Sequence, residues 1–531
     1  MQFAINNRKI DDLLTYLFPY DSIRSVVMRV FSYEAFTMLG SLSFQRSRLS
    51  IACSLLLAFA LLVSDPPSTA GENKWGGPSL REFSGVNQVG TDNDLFEKSI
   101  SWAREDMDWG TLQPKRNEWN QSALDEKGKK VLAWRERGVS YLPVLCYTAP
   151  WAGDTGKREW INGEHKWSVT PNVDGKLTVS SYDFKAGAWT LKSSSQEDNG
   201  YLSRCPPANV ADWTGYVTRV TKYLHAKPYG VQYFQIWNEA SNFSGFWNGS
   251  MDDYMRKVHL PAAAAIHAAG GKVVYGGWPC CESIKGLIDI FDKYKAWDSI
   301  DVIDIHYFNP ADMAMLRKAA DTRGYSHLAI WQTEIGFTTG KTYIADNYPR
   351  VLYWALNHKW DRPDKYKLFY FANWAPDDPK AYGYQCSFHS GSALNFHGVI
   401  VQNLATMFQG ARLEVYHGVT TMPSLSPSLN VGDSSIESFR AGKHIVLAVH
   451  LTAKDCETPS LLLTLPVKKD RVAWARRVDL TGKTADLADS RAGKDSTSFA
   501  VATADVEGSD AKQWNESGKG PRTFFVEVGV R

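Results

Sequence analysis

Between Phe83 and about Gly410, short runs of β-branched and aromatic residues alternate with longer stretches of helical periodicity. This alternation limits the possible fold more than any other feature of the chain. Eight strand-like segments can be read: EFSGVNQVG (82–90), SWAREDMDW (101–109), SYLPVLCYTAPW (140–151), VQYFQIWNEA (231–240), KVVYGGWP (272–279), IDVIDIHYF (300–308), HLAIWQTEIGF (327–337) and KLFYFANWA (367–375). Between them lie helical patterns at 123–138, 210–226, 251–271 and 348–360. Strands separated by helices must be parallel and joined by crossovers, and eight such units predict a closed (β/α)8 TIM barrel. The rhythm breaks once, at about 152–207, where a stretch rich in Gly, Asp, Ser and Trp follows the third strand. After Gly410 only strand patterns remain. The expected fold class is therefore α/β: a barrel over 71–410 with that insertion, then a C-terminal all-β sandwich over 411–531.

The first 70 residues read differently. Arg46 and Arg48 precede an apolar run at Leu49–Val63, and small residues at Ser68 and Ala70 follow. That order is the pattern of a secretory signal peptide over 38–70 with Met38 as its start, and it predicts an extracytoplasmic protein. The run is short for a membrane span, so no stable membrane insertion is expected after cleavage. Export permits disulfides, and Cys280 and Cys281, following the fifth strand, are candidates to pin the neighbouring loop. A net charge of +2 with no basic block argues against a nucleic-acid partner. The 20 Trp residues can be core, or they can offer flat faces to the C–H faces of sugar rings.

The run VQYFQIWNEA has the near-continuous apolar character of a strand covered on both faces, yet it ends in Asn238 and Glu239. A carboxylate there is costly unless it lies at an open end with a task. In a barrel of this class, chemistry sits at the carboxyl ends of the strands. Glu239 ends strand four and Glu334, in WQTEIGF, ends strand seven. Strands four and seven face each other across the mouth, so the two carboxylates converge on one cleft. That pairing is what glycosidic bond cleavage requires: one carboxyl protonated to donate, the other ionised to attack.

Trp237-Asn238-Glu239 with the second glutamate on strand seven resembles the retaining glycoside hydrolases of clan A, the 4/7 superfamily. The resemblance extends to WAREDMDWGTLQP (102–114), VLCYTAPWA (144–152) and IHYF (305–308), and is nearest to family 39-like and family 5-like members. It implies an O-glycosyl hydrolase acting on a poly- or oligosaccharide by double displacement, with no metal and no organic cofactor, and the signal pattern would make it a secreted one. Glu239 matches the acid/base, Glu334 the nucleophile, and Asn238 the amide that binds the sugar 2-hydroxyl. Arg104 matches the arginine that keeps the nucleophile ionised. His306 or Tyr307 would complete the nucleophile's hydrogen bonds; alternation along a strand favours His306 as the inward residue, and both stay open. Trp374 matches an aromatic floor beneath the sugar, Trp151 and Trp278 are candidate stacking faces, and Asn87 is a candidate for hydroxyl contact. The 152–207 insertion would wall one side of the cleft and favour a pocket. A non-catalytic carbohydrate-binding barrel and a transglycosylase using the same glutamates are the competing readings.

Overall fold

The computed structural model describes residues 80–87, 100–172, 176–194, 202–335, 341–358, 365–371, 389–390, 393–394, 396–408, 413–452, 454–455, 460–503 and 522–531. The apolar run behind Arg46 and Arg48, Trp374, Cys386 and Cys456 all lie outside the described residues. Among the described residues no helix is long and apolar enough to cross a membrane.

All eight expected barrel strands are present: Ser84–Asn87, Trp102–Asp108, Ser140–Cys146, Tyr233–Ile236, Lys272–Val274, Val302–His306, Ala329–Ile335 and Tyr366–Phe371. They are numbered one to eight below. Every neighbouring pair is parallel, and strand one pairs with strand eight to close the barrel. Helices Gln121–Glu136, Val210–His225, Ile284–Tyr294, Pro310–Thr322 and Lys341–Asn357 form crossovers. The crossover after strand four, expected as one helix over 251–271, is an α–π–α run, with the π segment at Tyr254–His259 and Pro261 just behind it. Proline cannot donate the backbone bond a continuous α-helix needs there.

Strands six and seven are buried along their whole length, which explains their apolar composition. One layer of the interior is filled by Leu142, Val274, Val302, Ala329, Trp331 and Phe369, with Trp102 and Tyr233 packed against it. Gly85 in strand one is required by this packing, since a Cβ there would lie 2.3 Å from the Phe369 ring. The tryptophan wealth is in good part structural: Trp109, Trp134, Trp213, Trp237, Trp247 and Trp331 are all fully buried.

The segment after strand three builds its own four-stranded antiparallel sheet from Arg158–Asn162, His165–Pro171, Leu177–Asp183 and Ala188–Ser194. Among the described residues after 412 the C-terminal region is β-structured, with one six-stranded and one four-stranded sheet. Its strand His444–Leu451 shows period-two alternation. Ile445, Leu447, Val449 and Leu451 enter the core between the two sheets, whereas Val446 and Ala448 join the core shared with the barrel helices. His450 continues the barrel-facing series. Its Nδ1 is 2.5 Å from Asp346 of helix Lys341–Asn357, and its Nε2 is 3.1 Å from Glu437. Arg350 of the same helix lies 3.8 Å from Glu437 and donates to the carbonyls of Ser428 and Asp433.

Candidate active site

Arg104 is the hub of the barrel mouth. It rises from strand two, buried, and its guanidinium makes four side-chain bonds. Nη1 donates to Glu334 Oε1 and to Asn87 Oδ1, both at 2.8 Å. Nη2 donates to Asn238 Oδ1 at 2.6 Å, and Nε to Gln235 Oε1 at 2.8 Å. A rigid fork of donors that is always charged suits this position, and lysine could not reach four acceptors at once. Burial works against the Arg104 charge, but the charges of Glu334, Asp106 and Asp304 more than offset it and raise its pKa. Asn87 in turn donates from Nδ2 to the Thr333 carbonyl at 2.6 Å, tying strand one to strand seven.

Glu334 ends strand seven in the middle of these donors. Besides Arg104, it accepts from the Tyr307 hydroxyl at 3.0 Å on Oε2. Burial alone would raise the Glu334 pKa; the positive charges of His306 and Arg104 and the Tyr307 bond overcome that and lower it. The result is a carboxylate held ionised and oriented. The same proximity, with burial, drives the Tyr307 pKa far upward, so its hydroxyl stays protonated and donates.

His306 lies between the two glutamates. Its Nδ1 is 2.9 Å from Glu239 Oε1 and 3.7 Å from Glu334 Oε2, and its Nε2 is 2.9 Å from Thr333 Oγ1. Thr333 Oγ1 spends its one proton on Asp304 Oδ2 at 2.7 Å, so towards His306 it accepts. Nε2 therefore carries a proton and donates, and the carboxylates around Nδ1 favour a proton there as well. Burial opposes that charge, but Glu334, Asp304 and Glu239 raise the His306 pKa to about 10. Ligand atoms of Glu239, His306 and Glu334 all lie within 4.8 Å of one another. Three such groups could hold a metal ion only with the imidazole deprotonated, which the two donated bonds oppose.

The backbone explains how so many polar groups reach one point. Trp237, Glu239 and Tyr307 all have left-handed backbones, with φ of 68°, 45° and 60°. Non-glycine residues in this region cost on the order of 1–3 kcal/mol each and need a surrounding structure that imposes them. Here the Trp237 amide donates to Leu145 O, the Glu239 amide to Gly276 O and the Tyr307 amide to Glu334 O, at 2.7–3.0 Å. Alternation allowed only one of His306 and Tyr307 to face inward, and this is corrected. His306 keeps the inward phase of strand six, and the left-handed turn at Tyr307 brings the next side chain to the same carboxylate pair. Gly277, φ 66°, leaves room for the imidazole: a Cβ there would lie 2.3 Å from His306 Nε2.

The structure thus brings together Arg104, Asn238, Glu239, His306, Tyr307, Glu334 and Asn87. Two tryptophans stand apart. Trp278 is 3% exposed and its indole N–H donates to Ser283 O at 3.0 Å, so it has no ring face for a ligand, and the expected stacking face is corrected to core packing. Trp151 donates to Gln113 O at 2.8 Å and packs edge-on against Trp109; neither contact belongs to the carboxylate cluster. Cys280 and Cys281 are free, exposed thiols, so neither pins the loop. Asp304, Thr333 and Gln235 complete the network and were not singled out from sequence. The signal for them was present: polar side chains inside strands otherwise apolar on both faces.

The loop after Glu239 is held from two sides. Ser241 Oγ donates to Glu282 Oε1 at 2.6 Å. Asn242 Oδ1 accepts from Trp160 Nε1 and Asn162 Nδ2 of the inserted sheet, both at 3.1 Å. The inserted sheet is thereby bonded to the segment carrying Glu239.

No family model matches this sequence, and no curated protein matches it. Among solved structures it is similar to a GH30 endoxylanase from Clostridium papyrosolvens, with TM-score 0.50 and 10% identity over 86% of this chain and 98% of that one. It is also similar to a family 39 glycoside hydrolase from Bacteroides cellulosilyticus, with TM-score 0.48 and 13% identity over 85% and 81% of the two chains. A GH39 β-xylosidase from Caulobacter crescentus gives TM-score 0.48 and 11% identity over 86% of this chain and 98% of that one. At 10% identity the likeness to the endoxylanase is one of architecture: both chains share an overall fold.

Proposed function

We propose that this chain is an exported glycoside hydrolase that cleaves a poly- or oligosaccharide with retention of anomeric configuration. The observation that carries the proposal is the carboxylate pair. Oxygens of Glu239 and Glu334 approach within 4.8 Å across the mouth of a (β/α)8 barrel, and one of the two carboxylates is held ionised by Arg104 and Tyr307. Retaining enzymes hold their carboxyls about 5–5.5 Å apart, whereas inverting ones leave about 6.5–9.5 Å for a water. The observed approach favours the shorter class. Export rests on the apolar run at Leu49–Val63 behind its arginines.

In this reading Glu334 attacks the anomeric carbon while Glu239 protonates the departing oxygen. His306 is hydrogen-bonded to Glu239 through Nδ1–H and supplies that proton. Once Glu334 is esterified its charge is gone, and with it the largest interaction that holds the proton on His306. The imidazole and Glu239 together then accept a proton from the incoming water, which releases the sugar. Asn238, fixed by Arg104 Nη2, is placed to bind a hydroxyl next to the reacting carbon, where such a bond tightens in the transition state.

The test is hydrolysis of a panel of aryl glycosides and polysaccharides by wild type, Glu334→Gln and Glu239→Gln, with proton NMR of the first-formed sugar. Loss of cleavage in both variants with a retained anomer supports the proposal. An inverted product removes Glu334 from the nucleophile role. A product in which the sugar is passed to another sugar identifies a transglycosylase instead.

A further inference from the structure

The inserted sheet has two unlike faces. The inward face is an ordinary core: Trp167, Val169, Leu177 and Val179 pack with Cys205, and Trp160 lies over Trp167 at 6.4 Å. The outward face should be polar, because a solvated antiparallel sheet alternates hydrophobic-in with polar-out. It is not. The register aligns Ile161, Lys166, Tyr182 and Trp189 as one row across all four strands. Ile161 is 69% exposed, Trp189 54%, Leu191 59% and Phe184, just past the third strand, 52%. Tyr182 ties the rings together, 5.4 Å from Trp189 and 5.6 Å from Phe184.

The rings are inclined to one another, by 56° between Tyr182 and Trp189 and 77° between Tyr182 and Phe184. Apolar surface kept in water on this scale marks a binding surface. Its polar content indicates for what. The Lys166 ammonium lies within that row and pairs with Glu159 at 2.8 Å, so the two charges answer one another. The hydroxyls of Ser180 and Thr178 belong to the neighbouring rows of the same face. The core of a contact between protein copies is depleted of charged residues. Flat rings interleaved with hydroxyls and a self-neutralised ion pair instead complement an uncharged polyhydroxylated chain, whose ring faces stack and whose hydroxyls hydrogen-bond. The sheet meets the segment that carries Glu239 through its other face, where Trp160 and Asn162 donate to Asn242 and Phe243 packs on Trp167, which leaves the outward face turned away from that loop.

We propose that the outward face of the 158–194 sheet, centred on Tyr182, Phe184 and Trp189, is a second binding surface for a neutral polysaccharide. It anchors the protein to polymer on the side of the sheet turned away from the Glu239 loop and takes no part in bond cleavage. The inference rests on the glycosidase reading for its biological use, but its test is separable. Full-length wild type and the Phe184→Ala/Trp189→Ala double variant are compared for retention on insoluble xylan, microcrystalline cellulose and insoluble β-1,3-glucan, and for hydrolysis of a soluble aryl glycoside. Sedimentation velocity follows their self-association.

The expected result is wild-type retention on at least one polysaccharide, weakened about tenfold or more by loss of two stacking rings, with aryl glycoside kinetics unchanged. Equal retention by both proteins overturns the proposal, as does absence of wild-type retention on all three. A wild-type dimer that the double variant converts to monomer, without change in retention, assigns the face to a second copy and also overturns it. Loss of retention in a protein that hydrolyses no glycoside leaves this surface standing and refutes the glycosidase reading alone.

Discussion

Replacing Tyr307 with Phe removes one oxygen and tests how the ionisation of Glu334 is maintained. The phenyl ring can stay where the phenol was, so the left-handed backbone at 307 and the neighbouring packing are preserved. What disappears is the 3.0 Å bond from the Tyr307 hydroxyl to Glu334 Oε2. Arg104 is a poorer probe, since its loss would also strand Asn87, Asn238 and Gln235. A hydrogen bond to a charged group contributes about 1.5–3 kcal/mol. The Tyr307 bond acts to lower the Glu334 pKa, so removing it raises that pKa towards the range of a buried acid. The proposed nucleophile must be ionised, so the acid limb of kcat/KM moves to higher pH. On that limb kcat/KM falls by roughly 10- to 100-fold, with a smaller loss on the plateau. Stability follows the same sign. A carboxylate with a depressed folded pKa adds stability above its unfolded pKa, lost as pH falls through the folded one, and the variant retains less of it. The assay is a pH profile of kcat/KM on an aryl glycoside for both proteins, with urea unfolding at pH 7 as the control. An acid limb that stays in place in a folded variant refutes the role given to Tyr307.

Gly277→Ala places a Cβ 2.3 Å from His306 Nε2 on a left-handed backbone, and the displaced imidazole should cost roughly 10²-fold in kcat/KM; unchanged kinetics would show that His306 is not needed where it stands. At the junction with the sandwich, His450→Leu leaves Asp346 and Glu437 facing one another without the cation, a loss of about 3–5 kcal/mol by urea denaturation. Burial opposes the His450 charge, but Asp346 and Glu437 raise its pKa. Its contribution is therefore full below the ordinary histidine value and fades as pH rises through the folded one, so the difference between wild type and variant should shrink towards alkaline pH. Burial and the charges of Glu282 and Glu239 raise the Cys281 thiol to about 11, so its alkylation, followed by peptide mass mapping, should be slow at pH 7 and accelerate steadily to pH 10; buried Cys146 and Cys205 should react only on unfolding.

The barrel was legible in the sequence, because a fold of parallel strands covered on both faces writes its period directly into the order of apolar runs. That Glu239 and Glu334 would meet was legible too, since each ends a strand whose place in an eight-fold ring follows from counting, whereas Arg104 and Asn238 were assigned by the resemblance to clan A. Beyond the strand ends that logic stops. Periodicity reports which way a side chain faces while the chain stays in the ladder, and at Trp237, Glu239 and Tyr307 the backbone leaves it. Only the surrounding contacts impose those left-handed conformations, so the joint approach of His306 and Tyr307 to the carboxylates emerges in the folded chain alone. The same holds for Trp278, which a strand-end position offered to the cleft and packing took into the core. The charge state of His306 was likewise out of reach. It depends on Thr333 having spent its proton on Asp304, a relation between three strand residues that no spacing along one chain records.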